Sequence, residues 1–231
     1  IEGASSMLLR LLVGFGLVVS IVVSPVGAAP WTSIGPDGGE IRGIVVDPLT
    51  PTTVYASTNR TLFKSTDGGT TWSGQPLHGV IYRLAIDPVT PTTLYAGVFS
   101  PLAPAAGLYK STDGGASWVK LLAAPRNVRA LAVDVTTPGR LYVGEYGKVW
   151  RSTDGGATWA VTSLPIGFSV ETLASDPVNA GVLYVATFET GSAGDQVYKS
   201  TNGGVSFTPT PLIGQDVAFL AVDPVDPQVV Y

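Results

Sequence analysis

Three observations predict an all-β fold made of repeated four-stranded antiparallel units. The octet Ser65-Thr66-Asp67-Gly68-Gly69-Thr70-Thr71-Trp72 returns at 111–118 and 152–159, and again at 200–207 with Asn202 for the Asp and Phe207 for the Trp. An apolar run ending in Asp, usually followed by Pro, recurs at Asp47, Asp87, Asp134, Asp176 and Asp223, and a tyrosine follows each Asp: Tyr55, Tyr95, Tyr142, Tyr184 and Tyr231. The Asp-to-Asp spacings are 40, 47, 42 and 47. The third observation is compositional: 28 Gly and 18 Pro beside many Val, Thr and Tyr call for short strands joined by tight turns. Self-similarity at this period marks stacked supersecondary units. Four antiparallel strands in roughly 40–45 residues are the signature of a β-propeller blade.

Each element follows from local chemistry. Met7-Leu8-Leu9-Arg10, the apolar run 11–23 and the small-residue exit Ser24-Pro25-Val26-Gly27-Ala28 read as a secretory signal cleaved after Ala28. An uncleaved anchor helix is the alternative, although the run is short for a membrane span. Residues 1–6 precede the first Met and read as a translation artefact. Trp31-Thr32-Ser33-Ile34 aligns with the last strand of a blade. Within a unit, strand A is the apolar run before the Asp, expected to be buried on both faces. The Asp-Pro stretch is the A–B turn, strand B carries the Tyr, and strand C is exemplified by Leu62-Phe63-Lys64-Ser65. The octet turns C into D. Full blades are expected at 41–73, 81–120, 128–161 and 170–210, with a partial fifth at 217–231. About four and a half blades suggest a segment of a larger propeller.

The octet resembles the Asp-box of the bacterial neuraminidase repeat. Families with such blades include sialidases, xyloglucan-active glycoside hydrolases, the sortilin luminal domain and photosystem II assembly factors. With the Asp-Pro turns, residues 31–231 look most like secreted bacterial proteins of sortilin-like or xyloglucanase-like type. The resemblance implies a propeller whose boxes lie on the face away from the active site. The Arg-Ile-Pro signature of sialidases is absent.

The octet itself reads as structural. Ser65, Asp67, Gly69 and Trp72 have counterparts in Ser111, Asp113, Gly115 and Trp118, in Ser152, Asp154, Gly156 and Trp159, and in Ser200, Asn202, Gly204 and Phe207. The carboxylate can cap amides of its own turn, the glycines permit positive φ, and the ring can pack between sheets. One carboxylate per turn is too few for calcium. Lys64, Lys110, Arg151 and Lys199 share one repeat position and read as structural too.

Subtracting the repeat isolates the functional candidates. Of 17 acidic residues, Asp37, Glu40, Glu145, Glu171, Glu189, Asp195 and Asp216 belong to no repeat motif, and all fall on the face opposite the octets. The B–C segments point the same way, with 12 residues from Tyr to octet position 3 in blades 1 and 3 and 18 in blades 2 and 4. Arg42, Tyr82, Arg129, Glu171 and Ala218 occupy one equivalent position at the start of strand A, expected to ring the channel mouth. Arg42, Tyr82, Arg129, Glu171 and Glu145 are the ligand-binding candidates, suited to a sugar or an anion. Glu171, Asp195, Glu189, Asp37 and Glu40 are the catalytic candidates of a glycoside hydrolase, which needs two carboxylates across a cleft.

With net charge −4 and no Lys/Arg run, nucleic acid is excluded as a partner. No Cys and a single His78 exclude disulfides, a thiol nucleophile and multi-histidine metal sites. The expectation is a monomeric, secreted or periplasmic propeller with no cofactor and no metal. It would bind a carbohydrate or protein on the face opposite the octets, and glycoside hydrolysis on that face is the alternative.

Overall fold

The structure is a computed structural model that describes residues 33–36, 40–59, 61–99, 105–121, 125, 127–164, 168–189, 196–213 and 217–231. Ser33 falls in one compact unit (1–33) and all other described residues in a second (34–231). The signal segment, Trp31, Thr32, Asp37, Asp195, Asp216 and the inserted stretches 100–104 and 190–195 lie outside the described residues.

Every repeat forms one antiparallel sheet. Blade 1 consists of β1 (Ile41–Val46), β2 (Val54–Thr58), β3 (Thr61–Ser65) and β4 (Ser73–His78). Blade 2 consists of β5 (Val80–Ile86), β6 (Leu94–Phe99), β7 (Gly107–Ser111) and β8 (Val119–Lys120). Blade 3 has β9 (Ala130–Val133), β10 (Leu141–Glu145), β11 (Lys148–Ser152) and β12 (Ala160–Ser163). Blade 4 has β13 (Phe168–Ser175), β14 (Leu183–Glu189), β15 (Gln196–Ser200) and β16 (Thr208–Ile213). In each sheet the strands neighbour one another in chain order, and no helix occurs among the described residues. This is the blade architecture of an all-β propeller. Residues 217–231 begin a further hairpin: Val222 bridges Val230, and Ala221 and Tyr231 exchange backbone bonds of 3.0 and 2.8 Å.

Two turns close one end of every blade. In the A–B turn, Asp47 Oδ1 accepts the amides of Leu49 and Thr50 at 2.8 and 3.0 Å. Asp87, Asp176 and Asp223 cap their turns in the same way. In the octet, Ser65 Oγ donates to Asp67 Oδ1 at 2.7 Å and accepts the Gly69 amide at 2.8 Å, while Asp67 Oδ1 accepts the Thr71 amide at 2.9 Å. Gly68 and Gly69 take φ of 71° and 92°, a left-handed pair that side chains other than glycine resist. The first octet glycine then donates its amide to the A–B turn, Gly68 to Thr52 and Gly114 to Thr92, both at 2.8 Å. The two turns therefore share one face, which leaves the B–C and D–A connections for the other.

The apolar core lies between blades. Tyr55 and Leu62 of blade 1 pack with Ile81, Leu94 and Ala96 of blade 2. Tyr95 and Leu108 meet Leu141 and Val143 of blade 3, and Tyr142 and Val149 meet Leu183 and Val185 of blade 4. Leu220 extends the same pattern onto Tyr184 and Val197. The octet rings enter these joints, Trp118 with the blade 1–2 cluster and Trp159 with the blade 2–3 cluster. Burial of strand A on both faces fails for β1: Ile44 is 63% and Val46 46% exposed. Among the described residues no preceding blade covers β1, whereas blade 1 covers the corresponding Leu84 and Ile86. Ile34 covers the first octet instead, its carbonyl accepting the Trp72 indole N–H at 2.9 Å. It holds the place against Gly69 that Leu121, the residue after β8, holds against Gly156.

Candidate ligand site at the strand-A rim

The start of strand A is bulged in every blade. Ile41 faces Thr58 and Gly43 faces Ser57, which leaves Arg42 as the extra residue. Tyr82 stands likewise between Ile81 and Arg83, and Glu171 between Val170 and Thr172. In blade 3 the Arg129 amide bonds Gly144 O at 3.0 Å while Ala130 also pairs with Gly144, so two residues oppose one. A bulge bends its strand and re-aims the side chain of the extra residue. Here it re-aims four non-equivalent side chains, Arg42, Tyr82, Arg129 and Glu171, from equivalent positions into one space.

That space is a cavity of about 380 Å³ lined from all four blades: Arg42 from blade 1, Tyr82, Arg83 and Phe99 from blade 2, Asn127, Val128 and Arg129 from blade 3, and Glu171 from blade 4. Tyr82 and Phe99 form an edge-to-face pair with centroids 5.6 Å apart, and the Arg42 guanidinium sits 5.5 Å from the Tyr82 ring centroid. Arg42 is held from the side by Asn59 Oδ1 at 2.7 Å and Glu40 at 3.0 Å. Arg129 bonds Glu171 Oε1 at 3.0 Å. Arg83 reaches across from blade 2, donating to the Glu171 carbonyl and to its neighbour Tyr82 O, both at 2.9 Å. Burial lowers the Arg83 guanidinium from its ordinary value; the Glu171 carboxylate works against that shift and the Arg129 charge adds to it. Three guanidinium groups thus line the cavity with one carboxylate, Glu171, while Arg42 is also paired with Glu40 beside it, in an otherwise acidic chain. Such a site suits a planar anion beside an apolar or ring-shaped group.

Of the residues expected from sequence to form the site, Arg42, Tyr82, Arg129 and Glu171 come together, and Glu40 stands behind Arg42. Ala218, at the fifth equivalent position, brings no polar group. Glu145 is not among the lining residues. Its Oε2 accepts the Trp150 indole N–H at 2.8 Å and its Oε1 the Asn127 amide at 3.1 Å, so it anchors the loop that carries Asn127 and Arg129. Glu189 ends β14, and nothing of its side chain is described; Asp37 and Asp195 lie outside the described residues. Arg83, Phe99, Asn127 and Val128 join the site without having been foreseen. Arg83 carried a signal: it is a charge inside the apolar run Ile81–Ile86, where the other blades have Gly43, Ala130 and Thr172.

No protein-family model matches the sequence, and no curated protein matches it. Solved structures do. An ancestral GH74 enzyme shares 20% identity over 80% of this chain, at a TM-score of 0.67. The GH74 xyloglucanase of Xanthomonas campestris shares 23% over 82%, at 0.69. YCF48, solved bound to D1 peptide, shares 16% over 80%, at 0.56. The chain spans 28%, 34% and 59% of these three proteins respectively. At such identities the likeness carries the fold, and it shows a β-propeller repeat protein.

Proposed function

We propose that this chain is a secreted propeller module that binds a carbohydrate or protein ligand on the face opposite the octets, through an anionic group of that ligand. The observation that carries this reading is the convergence of Arg42, Arg83 and Arg129, with Tyr82 and Phe99, on one cavity in which the single carboxylate is already bonded to Arg129. The arginines supply the charge and the bidentate geometry that a carboxylate or sulfate takes. The two rings supply a face for a sugar or an aromatic side chain. Peptide binding has a precedent in the fold, since YCF48 was solved with a peptide bound.

Calorimetric titration tests this reading with three probes: an oligoglucuronate, a peptide with a free C-terminal carboxylate, and a neutral xyloglucan oligomer. An anionic probe is expected to bind, to weaken as salt rises, and to lose at least about tenfold in affinity in Arg129→Met, on the scale of one charge-assisted hydrogen bond. Equal affinity for the neutral oligomer, or binding indifferent to Arg129→Met, sinks it. Glycoside hydrolysis is the second reading, favoured by the position of Glu171 inside the cavity beside Tyr82. It needs a second carboxylate, with Glu40 the described candidate. Turnover of xyloglucan oligomers that vanishes in Glu171→Gln would establish it, and binding without turnover leaves the module.

A further inference from the structure

We propose that, given the anion site argued above, Glu171 is its specificity-determining residue: its carboxylate is the resident counter-ion that a ligand's anionic group must displace from Arg129. The three arginines of the cavity are not equally available. Arg42 is held from behind, by Glu40 at 3.0 Å and Asn59 at 2.7 Å, neither of which lines the cavity. Arg83 commits both terminal nitrogens to main-chain carbonyls, those of Tyr82 and Glu171, at 2.9 Å each. Arg129 differs from both. Among the described residues its side chain bonds only Glu171 Oε1, at 3.0 Å, and that carboxylate lines the same cavity. An anion entering the cavity therefore meets one contact that can be exchanged.

Stability gives little reason for this pair. The side chains are 46% and 32% exposed, and ion pairs so placed contribute little to folding. The joint between blades 3 and 4 is already closed by Tyr142, Val149, Leu183 and Val185. Charge compensation does give a reason. Arg83 is half-buried with carbonyl partners alone, and the Glu171 charge opposes the fall that burial imposes on its guanidinium. One carboxylate thus balances two cations.

The geometry lets that carboxylate leave without disturbing the rim. Arg83 pins the Glu171 carbonyl, and the Arg129 amide is fixed on Gly144 O at 3.0 Å. Exchange therefore needs only a rotation of the Glu171 side chain. Glu171 meets Arg129 through a single oxygen and a single nitrogen, whereas a planar oxyanion can take two guanidinium N–H groups in parallel. A carboxylate or sulfate on the ligand outbids Glu171 for that reason. A neutral group cannot, and an anion making one contact gains nothing by the swap.

Calorimetric titration of the full chain with an oligoglucuronate tests this. Glu171→Gln should tighten binding at least about fivefold, the scale of removing a like charge from a half-exposed site. Glu171→Ala, which cannot bond Arg129 at all, should tighten it too. Affinity for a neutral xyloglucan oligomer should stay where it is in both variants. Asp226→Asn makes the same change in net charge on the octet face and should leave oligoglucuronate affinity unchanged. Binding to wild type that is equal or weaker in both Glu171 variants overturns the inference and leaves the anion site standing. Equal tightening in Asp226→Asn also overturns it, since net charge alone would then account for the gain. Absence of oligoglucuronate binding in wild type and in both Glu171 variants overturns the anion site for this probe and the counter-ion with it.

Discussion

The two faces of this propeller obey opposite rules. On the octet face the geometry repeats: the octet serine accepts the second glycine's amide at 2.8, 2.9, 2.8 and 2.9 Å in blades 1 to 4. On the rim, positions equivalent in backbone and bulge hold Arg42, Tyr82, Arg129 and Glu171. A turn that must close every blade tolerates little chemical variety. A surface that meets one asymmetric ligand needs a different group from each blade. Stability should therefore sit on the first face and ligand affinity on the second, and substitutions should separate the two.

The largest separation is expected between Ser111→Ala and Arg129→Met. The Ser111 hydroxyl is buried, donates to Asp113 Oδ1 at 2.8 Å and accepts the Gly115 amide at 2.9 Å. Alanine leaves that amide without a partner, a loss of about 1–3 kcal/mol. In a chain of this size this corresponds to roughly 2–4 °C in Tm for each kcal/mol. Ligand affinity should not move. Arg129→Met should do the reverse, because the Arg129–Glu171 pair is partly exposed and such pairs contribute about 0–1 kcal/mol to stability. Thermal melts and titrations on both variants decide it; a Tm loss in Arg129→Met equal to that in Ser111→Ala would collapse the distinction between the faces.

Acid should act on the octet face first. Asp67, Asp113 and Asp154 are each lowered from 3.8 to about 2, chiefly by the hydroxyls of Thr71, Ser117 and Thr158 and then by the backbone amides of the same residues. Because the folded value lies below the unfolded one, the contribution of these carboxylates is fully present above about pH 4. It is lost as pH falls towards 2. Denaturant midpoints should therefore drop steeply between pH 4 and 2, and the slope should shrink in the triple variant Asp67→Asn, Asp113→Asn, Asp154→Asn. An unchanged slope would assign the acid sensitivity elsewhere.

The unevenness in what the sequence disclosed follows the same division. The octets and Asp-Pro turns are local: Gly-Gly, a capping carboxylate and a ring within eight residues specify their own turn, so blades and orientation were readable from the chain. The first four rim residues were readable too, because a repeat defines equivalent positions and makes the odd residue visible. Arg83 escaped because the bulge at Tyr82 shifts register by one, and only the sheet reveals that position 83 also faces the cavity. Glu145 looked like a free carboxylate, and only tertiary placement brings Trp150 and Asn127 to its two oxygens. Lys64 and Lys110, which precede the first two octets, were read as structural from their repeat position. That they act across the joint on the next blade's glycine was not, since the acceptor lies about 50 residues away.

The smallest expected effect comes from the drifted octet of blade 4, where the repeating face departs from its own rule. Asn202 keeps the turn: its Oδ1 accepts the Ser206 amide at 3.0 Å, and its Nδ2 donates to the Ser206 hydroxyl at 2.8 Å, reversing the donor direction seen at Asp113. These are neutral bonds, weaker than those of a carboxylate. Phe207 has no indole N–H, so the carbonyl that Trp118 and Trp159 cap in their octets passes in blade 4 to Thr162. Asn202→Ala should therefore lower Tm less than Asp113→Ala, and only the latter difference should fade as pH approaches 2. Thr162→Val should remove a single hydroxyl–carbonyl bond, about 0.5–1.5 kcal/mol. Combined with Phe207→Trp, which can return an indole donor to Gly204 O, that loss should be largely recovered. Melts of the two single variants and the double variant check this. Additive effects would mean that Thr162 holds blade 4 for a reason other than the missing indole.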